Sequence, residues 1–431
     1  MSQSTSVFEQ DLAATLHKRK EKGRYRPMYP PSELANTIDF GSNDALSLSS
    51  SGALRCEFLR ELERNPGFQV GSKGSRLVDG NNQYVVDLEA YLADFHKAET
   101  ALFFNSGYDA NVAVFTTLPQ PGDVIVHDEF IHASVIDGMR HTRAASTQAF
   151  KHNSIKSFKE VLHNVKASFP EVREGRRSLF VALESLYSMD GDFPPVHQIL
   201  SVGKELFPLG NVVFYVDEAH SNGIMGPKGS GYICHHGLED EFAIRVHTFG
   251  KSLSSSGAIV LASSIVKDTL ANYARNFIYS TGPSFPSLAC VKAGYNLLES
   301  LEGEQRRQRL QKATSYFLQC FFKHPIWNQI KGSANIGIAN PGRLVSSDFQ
   351  SPIVPVTTKA GKAYPLRAWL LREGFSSWGI AYPVVPKGED RVRVVIHADN
   401  SHPQMERFVD VIMQWALEQE RSKRPDFKAQ L

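Results

Sequence analysis

The hydrophobic residues between positions 101 and 263 form short runs that are apolar throughout, and longer amphipathic segments separate them. The runs are ALFFN (101–105), DVIVH (123–127), SLFVALE (178–184), NVVFYVDE (211–218), RVHTF (245–249) and GAIVLAS (257–263). Such runs are typical of strands buried on both faces of a mostly parallel sheet. Residues 154–169, between two of these runs, carry apolar residues at helical spacing. The alternation predicts a doubly wound α/β domain.

The two ends of the chain have different patterns. Residues 7–20 predict a short polar helix, which a basic turn at 20–26 and a proline-rich linker at 27–31 follow. The C-terminal part predicts a long helical region at 288–322, strands at 351–358 and 391–398, and a closing amphipathic helix at 402–420. We therefore predict an N-terminal arm (1–55), a large domain (56–287) and a smaller C-terminal α+β domain (288–431).

Composition permits an enzyme and excludes several other classes of protein. Hydrophobic residues make up 42% of the 431 residues and charged residues 21%, which is ordinary for a globular protein and too apolar for disorder. The 47 Lys and Arg balance 45 Asp and Glu, so the net charge of +2 argues against a nucleic-acid partner. No apolar run approaches the roughly 18 residues that a membrane span needs. We expect no membrane insertion.

The expected location is cytoplasmic or peroxisomal. The first residues lack the apolar segment of a signal peptide, and the final tripeptide, residues 429–431 (Ala-Gln-Leu), loosely resembles the Ser-Lys-Leu peroxisomal address. The four cysteines lie far apart, without the paired spacing of a disulfide framework or zinc site. We interpret residues 234–236 (Cys-His-His) as part of a loop and predict no metal site.

Polar residues at the predicted strand ends carry the candidate chemistry, because ligands of an open α/β sheet bind there. Asp217, followed by His220, fits a partner for a cationic ring, a metal ligand or a helix N-cap. Lys251, just after Thr248, fits a Schiff-base lysine, a phosphate contact or a surface residue. Gly107 opens a strand-to-helix turn that suits a phosphate.

His132 is the remaining candidate in the large domain, and it follows another predicted strand. A lone loop histidine is usually structural or exposed to solvent. Taken with the strand-end aspartate, the strand-end lysine and the phosphate turn, however, it completes the set that pyridoxal 5'-phosphate (PLP) requires.

The order of the motifs resembles the α-oxoamine synthases, which are PLP-dependent enzymes of fold type I. The resembling segments are FGSND (40–44), GSKGSRLVDG (71–80), NSGYDAN (105–111), HDEFIHASVIDGMR (127–140), ESLYSMDGD (184–192), VDEAHSNGIMGPKGSG (216–231), TFGKSL (248–253), IYST (278–281) and PVVPKGEDRVR (383–393). They span residues 40 to 400, approximately, in family order. The resemblance implies a fold-type I transferase with a large, mostly parallel sheet domain and a smaller C-terminal α+β domain.

The resemblance also implies a role for individual residues. Catalysis falls to Lys251 as the Schiff-base lysine, Asp217 as the partner of the pyridine nitrogen, and His132, which stacks on the ring. The other implied cofactor contacts are Gly107, Tyr108, Ser188, His220, Thr248, Ser280 and Thr281. Ser280 and Thr281 would reach the phosphate of a neighbouring subunit, which implies a homodimer with shared active sites. The implied substrate contacts are Arg393 and Asn43 for the amino-acid carboxylate and Arg26 for the acyl-CoA.

The implied reaction is a decarboxylative condensation of an amino acid with an acyl-CoA. The motifs most closely resemble those of 8-amino-7-oxononanoate synthases of the fungal type. This resemblance predicts L-alanine and pimeloyl-CoA as substrates, as in biotin biosynthesis. Ala45, Val85 and Val384 depart from residues usual in the family, so the substrates stay open.

Three alternatives remain at this point. The first is a synthase of secondary metabolism that joins another acyl thioester to Ala, Ser or Gly, and the second is a PLP aminotransferase. The third, a subunit without catalysis, is disfavoured because Lys251 is present.

Overall fold

The computed structural model describes residues 6–332, 336–346 and 348–421. The helices are α1 Val7–Glu21, α2 Ala53–Arg64, α3 Gln83–Phe95, α4 Gly107–Thr117, α5 Ala133–Arg140, α6 Ile155–Ser168, α7 Pro170–Arg173, α8 Val196–Leu206, α9 Tyr232–His236, α10 Ser264–Tyr273, α11 Arg275–Ile278, α12 Phe285–Glu299, α13 Leu301–Lys323, α14 Pro325–Ile330, α15 Ala363–Arg372 and α16 His402–Arg421. The strands are β1 Ile38–Asp39, β2 Thr100–Phe104, β3 Val124–Asp128, β4 Ser146–Phe150, β5 Leu179–Glu184, β6 Val212–Asp217, β7 Ile244–Thr248, β8 Ala258–Ala262, β9 Ile336–Ile338, β10 Val345–Ser346, β11 Phe349–Gln350, β12 Ile353–Thr358, β13 Phe375–Ser376, β14 Trp378–Ile380 and β15 Arg391–Val395. The C-terminal tripeptide lies outside the described residues.

Within the described residues the larger sheet has seven strands in the order β2-β8-β7-β6-β5-β3-β4. Neighbours from β7 to β4 are parallel, whereas β8 runs antiparallel to both β7 and β2. This arrangement confirms the predicted α/β fold with a large, mostly parallel sheet. It also brings the carboxyl ends of β5, β6 and β7 side by side.

The central strands are mostly apolar because each of their faces packs against its own hydrophobic core. Val181 and Leu183 of β5 belong to one core, whereas Phe180 and Ala182 belong to the other. Successive side chains of a strand point to opposite faces, so a strand covered on both sides has few positions that reach solvent, and apolar residues are favoured at most of them. The edge strand β4 alternates between partly exposed and exposed positions over most of its length.

Helix α4 packs against the face of the sheet on which Tyr215 of β6 lies. Its N-cap is Ser106, whose Oγ accepts a hydrogen bond from the backbone N–H of Asp109 at 3.0 Å. Ala110 and Val114 are fully buried in the same core as Tyr215 of β6. Because Tyr215 and Asp217 are two residues apart on one strand, they share this face.

The C-terminal part contains an antiparallel sheet in the order β14-β15-β12-β9. Arg393, at the centre of β15, is opposite Pro355 of β12 and Trp378 of β14. The helical region predicted at 288–322 is two helices, α12 and α13. Ser300 separates them and caps α13, accepting a hydrogen bond from the backbone N–H of Gly303 at 3.2 Å.

One sequence interpretation was wrong. Residues 234–236 are not a loop but the end of the short helix α9, which begins after Gly231 and ends before the left-handed Gly237. Tyr232 and Ile233 are buried and anchor this single turn. The Nε2 of His236 lies 3.2 Å from the hydroxyl of Ser346. No cluster of three or more metal-ligating side chains occurs within the part of the chain that the structure describes.

Residues up to Ile38 form one compact unit, and residues from Asp39 onward form a second. The first unit contains α1, whose N-cap Ser6 exchanges hydrogen bonds with Glu9 in a capping box. The domain boundaries predicted at 55 and 287 stay predictions. Over the described ranges, no helix combines the length and the apolar character that crossing a bilayer requires.

Candidate active site

A cavity of about 380 Å³ opens beside the carboxyl ends of β6 and β7. The predicted site residues that line it are Asn43, Gly107, Tyr108, His132, Asp217, Thr248 and Lys251. They come from sequence positions as far apart as 43 and 251. The sheet order brings them together, since parallel neighbours end at one edge.

Two residues separate Lys251 from the end of β7, and the lysine is half-buried in the cavity wall. Burial lowers the pKa of its ammonium group to about 8, although the nearby charges of Asp217 and Glu184 oppose this shift. The positive charge of Arg393 contributes to the lowering. A lysine with such a pKa is a substantially better nucleophile toward an aldehyde near neutral pH than an exposed lysine.

Asp217 ends β6 and is only 5% exposed. Its Oδ2 accepts a hydrogen bond from Nδ2 of Asn111 at 2.7 Å, and its Oδ1 accepts one from the backbone N–H of Ala219 at 2.9 Å. The residue does not act as an α-helix N-cap, because the next described α-helix begins only at Tyr232. The helix-cap alternative is therefore wrong, and the hydrogen-bonded carboxylate of Asp217 is part of the cavity wall.

His132 caps the N-terminus of α5. Its Nδ1 accepts a hydrogen bond from the backbone N–H of Ser134 at 3.2 Å and lies 2.7 Å from the hydroxyl of the same residue. Burial lowers the pKa of the His132 imidazole; the charge of Asp217 opposes this shift and that of Lys251 supports it. The ring is therefore uncharged at neutral pH.

Sequence reasoning missed three residues that connect Asp217 with His132: Asn111, Ser134 and Tyr215. Asn111 is 1% exposed, and its Nδ2 also donates to the hydroxyl of Ser134 at 2.9 Å. The hydroxyl of Tyr215 donates to Oδ1 of Asn111 at 2.5 Å. The available signal was the spacing of Tyr215 and Asp217, which places both on one face of β6.

One end of the cavity has the groups that a phosphate needs. Gly107 and Tyr108 begin α4, and the first N–H groups of a helix have no acceptor within it. The buried Oγ1 of Thr248 has no hydrogen-bond partner among the described residues. A Cβ on Gly107 would lie 2.2 Å from Cγ2 of Thr248, so only glycine permits this approach. These donors fit the phosphate group of PLP.

Arg393 is a buried guanidinium that is 5% exposed. Its Nη2 donates to Oδ1 of Asn43 at 3.0 Å, and its Nε donates to the carbonyl oxygen of Ser188 at 2.5 Å. No carboxylate among the described residues forms an ion pair with it, and burial lowers its pKa to about 10. A buried cation with neutral partners is a site for an anion, such as a substrate carboxylate.

His220 and Glu184 complete the surroundings of Lys251. His220 lines a small recess with Asn43 and Lys251, and burial holds the pKa of its imidazole well below the ordinary value. Glu184, at the end of β5 beside Asp217, was not predicted. Burial, followed by the charge of Asp217, raises the pKa of its carboxyl well above the ordinary value. Glu184 and Asp217 therefore stand side by side at the carboxyl end of the sheet, next to Lys251.

The structure does not bring every predicted residue into the cavity. Ser280 and Thr281 line a separate depression with Arg76, and Thr281 is exposed. The carbonyl of Thr281 accepts a hydrogen bond from Nδ2 of Asn105, which lines both depressions. Arg26 lies in the N-terminal unit and is exposed. The roles predicted for these three residues stay predictions.

Comparisons with known proteins agree with the fold and the site. The family described as aminotransferase class I and II matches residues 35–412. The chain is 40% identical to an 8-amino-7-oxononanoate synthase of Emericella nidulans, covering 98% of this chain and 99% of that protein. It is 41% identical to the aminoacyl transferase sphA of Byssochlamys spectabilis, over 88% of this chain and 80% of that protein.

Two solved structures share the fold. A serine palmitoyltransferase from S. paucimobilis has a TM-score of 0.77 at 23% identity and covers 95% of this chain and 98% of its own. An 8-amino-7-oxononanoate synthase from Francisella tularensis has a TM-score of 0.67 at 24% identity, with coverages of 90% and 99%. At these identities the likeness concerns the fold. With the family match over most of the chain, the near full-length relative and the cavity described above, the chain belongs to the aminotransferase class I and II family and, within it, to the α-oxoamine synthases, which are PLP-dependent acyltransferases of fold type I.

Proposed function

We propose that this chain condenses L-alanine with pimeloyl-CoA, releases CoA and CO₂, and forms an α-oxoamine, as in biotin biosynthesis. The near full-length relative from Emericella nidulans supports this assignment. The structural observation that carries the proposal is Arg393, a buried guanidinium without a carboxylate partner among the described residues, in the shell around Lys251. An amino-acid substrate supplies the missing carboxylate.

The residues around the cavity divide the work of binding. Arg393 binds the carboxylate of the amino acid, with Asn43 orienting the guanidinium. Gly107, Tyr108 and Thr248 would hold the phosphate of PLP, and Asp217 would keep a proton on the ring nitrogen. PLP, when bound, supplies an aldehyde for the amine and a cationic ring that withdraws electrons from the adjacent carbon.

The catalytic residues move protons. Lys251, with its lowered pKa, takes the α-proton of the amino acid once its amine is free. His132 would cover the face of the ring and, as a neutral imidazole, would donate a hydrogen bond to the carbonyl oxygen of the thioester. His220 lines the small recess beside Lys251, and the carbonyl oxygen of Ser188 accepts a hydrogen bond from Arg393.

We extend the proposal to a homodimer. Ser280 and Thr281 do not line the cavity of their own chain, which suits the predicted role of reaching a neighbouring subunit's phosphate. The basic residues 18–26, with Arg26 among them, suit the phosphates of CoA. Residues 429–431 are the basis for proposing a peroxisomal location as an alternative to a cytoplasmic one. Either location is compatible with an acyl-CoA substrate.

A second candidate is a synthase of secondary metabolism that joins a different acyl thioester to Ala, Ser or Gly. The 41% identity to the aminoacyl transferase sphA favours it, because this identity is as high as the 40% identity to the 8-amino-7-oxononanoate synthase of Emericella nidulans. Ala45, Val85 and Val384 are the positions where this chain departs from the usual residues, and they are the first to compare between the two groups.

The test is a substrate panel with the purified, PLP-loaded chain. L-alanine, L-serine and glycine are each combined with pimeloyl-CoA, palmitoyl-CoA and acetyl-CoA, and the released thiol is measured. The proposal predicts the highest kcat/KM with L-alanine and pimeloyl-CoA. A preference for a long-chain thioester selects the second candidate, and amino transfer without thiol release identifies an aminotransferase. Lys251→Ala is the matched control, which must release no thiol above background.

A further inference from the structure

A chain of hydrogen bonds with a determined direction joins Asp217 to His132 through Asn111. The bonds run from Nδ2 of Asn111 to Oδ2 of Asp217 (2.7 Å) and to the hydroxyl of Ser134 (2.9 Å), and the hydroxyl of Ser134 lies 2.7 Å from Nδ1 of His132. Asn111, Ser134 and Tyr215 are each at most 1% exposed. Water therefore has no access with which to replace a lost bond.

The orientation of the Asn111 amide is fixed by its partners. An ionised carboxylate only accepts, so the amide nitrogen, and not the oxygen, must face Asp217. The hydroxyl of Tyr215 donates to the amide oxygen at 2.5 Å on the other side. Reversing the amide would place oxygen against the Asp217 carboxylate and leave the tyrosine proton without an acceptor.

The direction continues through Ser134 to the imidazole. Since the Ser134 oxygen accepts from Asn111, its proton is free to point at Nδ1 of His132. The backbone N–H of Ser134 donates to the same nitrogen at 3.2 Å. Two donors directed at Nδ1 leave no room for a proton there. The neutral ring then carries its only proton on Nε2.

We propose that Asn111 is the positioning residue of this site: its amide holds the carboxylate of Asp217 and, through Ser134, keeps His132 in the Nε2–H form. The inference rests on the roles of Asp217 and His132 in the proposed function. One buried amide thus sets the carboxylate for the pyridine nitrogen and the imidazole for the ring face together. This arrangement makes Nε2 the hydrogen-bond donor of His132, because Ser134 is hydrogen-bonded to Nδ1.

The substitution Asn111→Asp tests the proposal because it keeps the size of the side chain and replaces the NH₂ donor with an oxygen that only accepts hydrogen bonds. A carboxylate oxygen then faces Asp217 at the former hydrogen-bond distance, and Ser134 is drawn toward the new charge and away from His132. We expect the dissociation constant for PLP to rise by about tenfold or more, since a hydrogen bond between charged partners has become a repulsion. Tyr215→Phe, which leaves both donor bonds of Asn111 in place, should have a much smaller effect.

A second readout follows His132 itself. In the full-length protein labelled with ¹⁵N-histidine, His132→Gln identifies the resonances of residue 132. We expect the ¹⁵N shifts of an Nε2–H imidazole in the native protein. Both ring-nitrogen shifts should move away from this pattern in Asn111→Asp and in Ser134→Ala, which removes the hydroxyl donor and leaves only the backbone N–H at Nδ1. Ser134→Ala should weaken PLP binding less than Asn111→Asp, because Asp217 keeps its amide donor.

Three results would overturn the inference: a proton on Nδ1 of His132 in the native protein, an unchanged His132 pattern in Ser134→Ala, or native PLP affinity in a folded Asn111→Asp. If Asn111→Asp does not fold, the first two measurements still decide. Neither readout depends on turnover. Failure of the condensation assay would leave this inference standing, and failure here would leave the reaction unaffected.

Discussion

Nη2 of Arg393 donates to Oδ1 of Asn43 at 3.0 Å, and this bond connects the small antiparallel sheet with a segment 350 residues earlier in the chain. Asn43 also lines the cavity that holds Lys251 and Asp217. The guanidinium of Arg393 is thereby held beside the catalytic lysine while its charge stays uncompensated by any described carboxylate.

Replacing Arg393 should weaken binding of the amino acid more than it slows the chemistry. Arg393→Met removes the charge but retains much of the buried volume. We expect the KM for the amino acid to rise about 10- to 150-fold, the value of one or two charged hydrogen bonds. Steady-state kinetics with a saturating thioester measures this. An increase in the KM of the thioester alone would contradict the assignment, and Arg391→Met, in the same strand, controls for disruption of β15.

The rate of PLP loading should depend on the protonation of Lys251. Only the neutral amine attacks an aldehyde, and burial lowers the pKa of this lysine to about 8. We expect the loading rate of the apoprotein to rise with pH through a midpoint of about 8. Arg393→Met should move the midpoint upward, because the charge of Arg393 helps to lower the pKa. Stopped-flow absorbance measures the rate, and a profile without a midpoint below the ordinary lysine value of 10.5 would refute the prediction.

Thr248 should contribute to PLP affinity through its hydroxyl. Its buried Oγ1 has no partner among the described residues, so a phosphate oxygen can accept its proton. Thr248→Val should weaken PLP binding by about tenfold or more, the value of a charge-assisted hydrogen bond. Thr248→Ser retains the hydroxyl and is the control. A loss in Thr248→Ser without a loss in Thr248→Val would contradict the prediction and assign the effect to packing of the methyl group against Gly107.

His152 should stabilise the fold in a pH-dependent way. Its Nδ1 lies 2.8 Å from Oδ1 of Asp128 and its Nε2 lies 2.9 Å from Oδ2 of Asp192, so the ring joins the end of β3 to the loop that follows β5. Burial opposes the charge, but the bonds to the two aspartates outweigh it and raise the pKa of His152 to about 10. The stabilisation is therefore complete below the unfolded value of 6.5 and is lost as the pH rises through about 10.

The matching variant is His152→Gln. We expect it to lower the free energy of unfolding by about 3–5 kcal/mol below pH 6.5, as for breaking a buried ion pair, with a smaller difference near pH 10. Denaturant unfolding across this pH range measures the difference between the variant and the native protein. His163→Gln, on the exposed face of α6, is the control and should have no such effect. A difference that grows with pH would contradict the prediction.

The sequence predicted the central strands well because their burial is extreme. β5, β6 and β7 are buried over most of their length, so most of their residues are apolar, and the predicted runs match their bounds within a residue or two. The polar edge strand β4 left no such pattern and was not predicted. The break between α12 and α13 was also missed, since the capping Ser300 is a single residue in a long helical pattern.

The site was predictable where a residue follows a strand. Asp217 ends β6, whereas Lys251 and His132 come after β7 and β3, and the order of strands in the sheet brings all three to one edge. Asn111 was missed because its partners depend on how α4 packs over β6, which no local pattern encodes. Glu184 was missed for a related reason: its neighbour Asp217 belongs to the adjacent strand, and pairing of strands is a tertiary feature.

The most direct test of the central claim follows the carboxyl carbon of the amino acid. The PLP-loaded chain is given L-alanine labelled with ¹³C at the carboxyl group, together with pimeloyl-CoA, and the products are measured by mass spectrometry. Decarboxylative condensation predicts labelled CO₂ in equal amount to the free CoA thiol, with an α-oxoamine that has lost the label. Labelled pyruvate without thiol release would contradict the account.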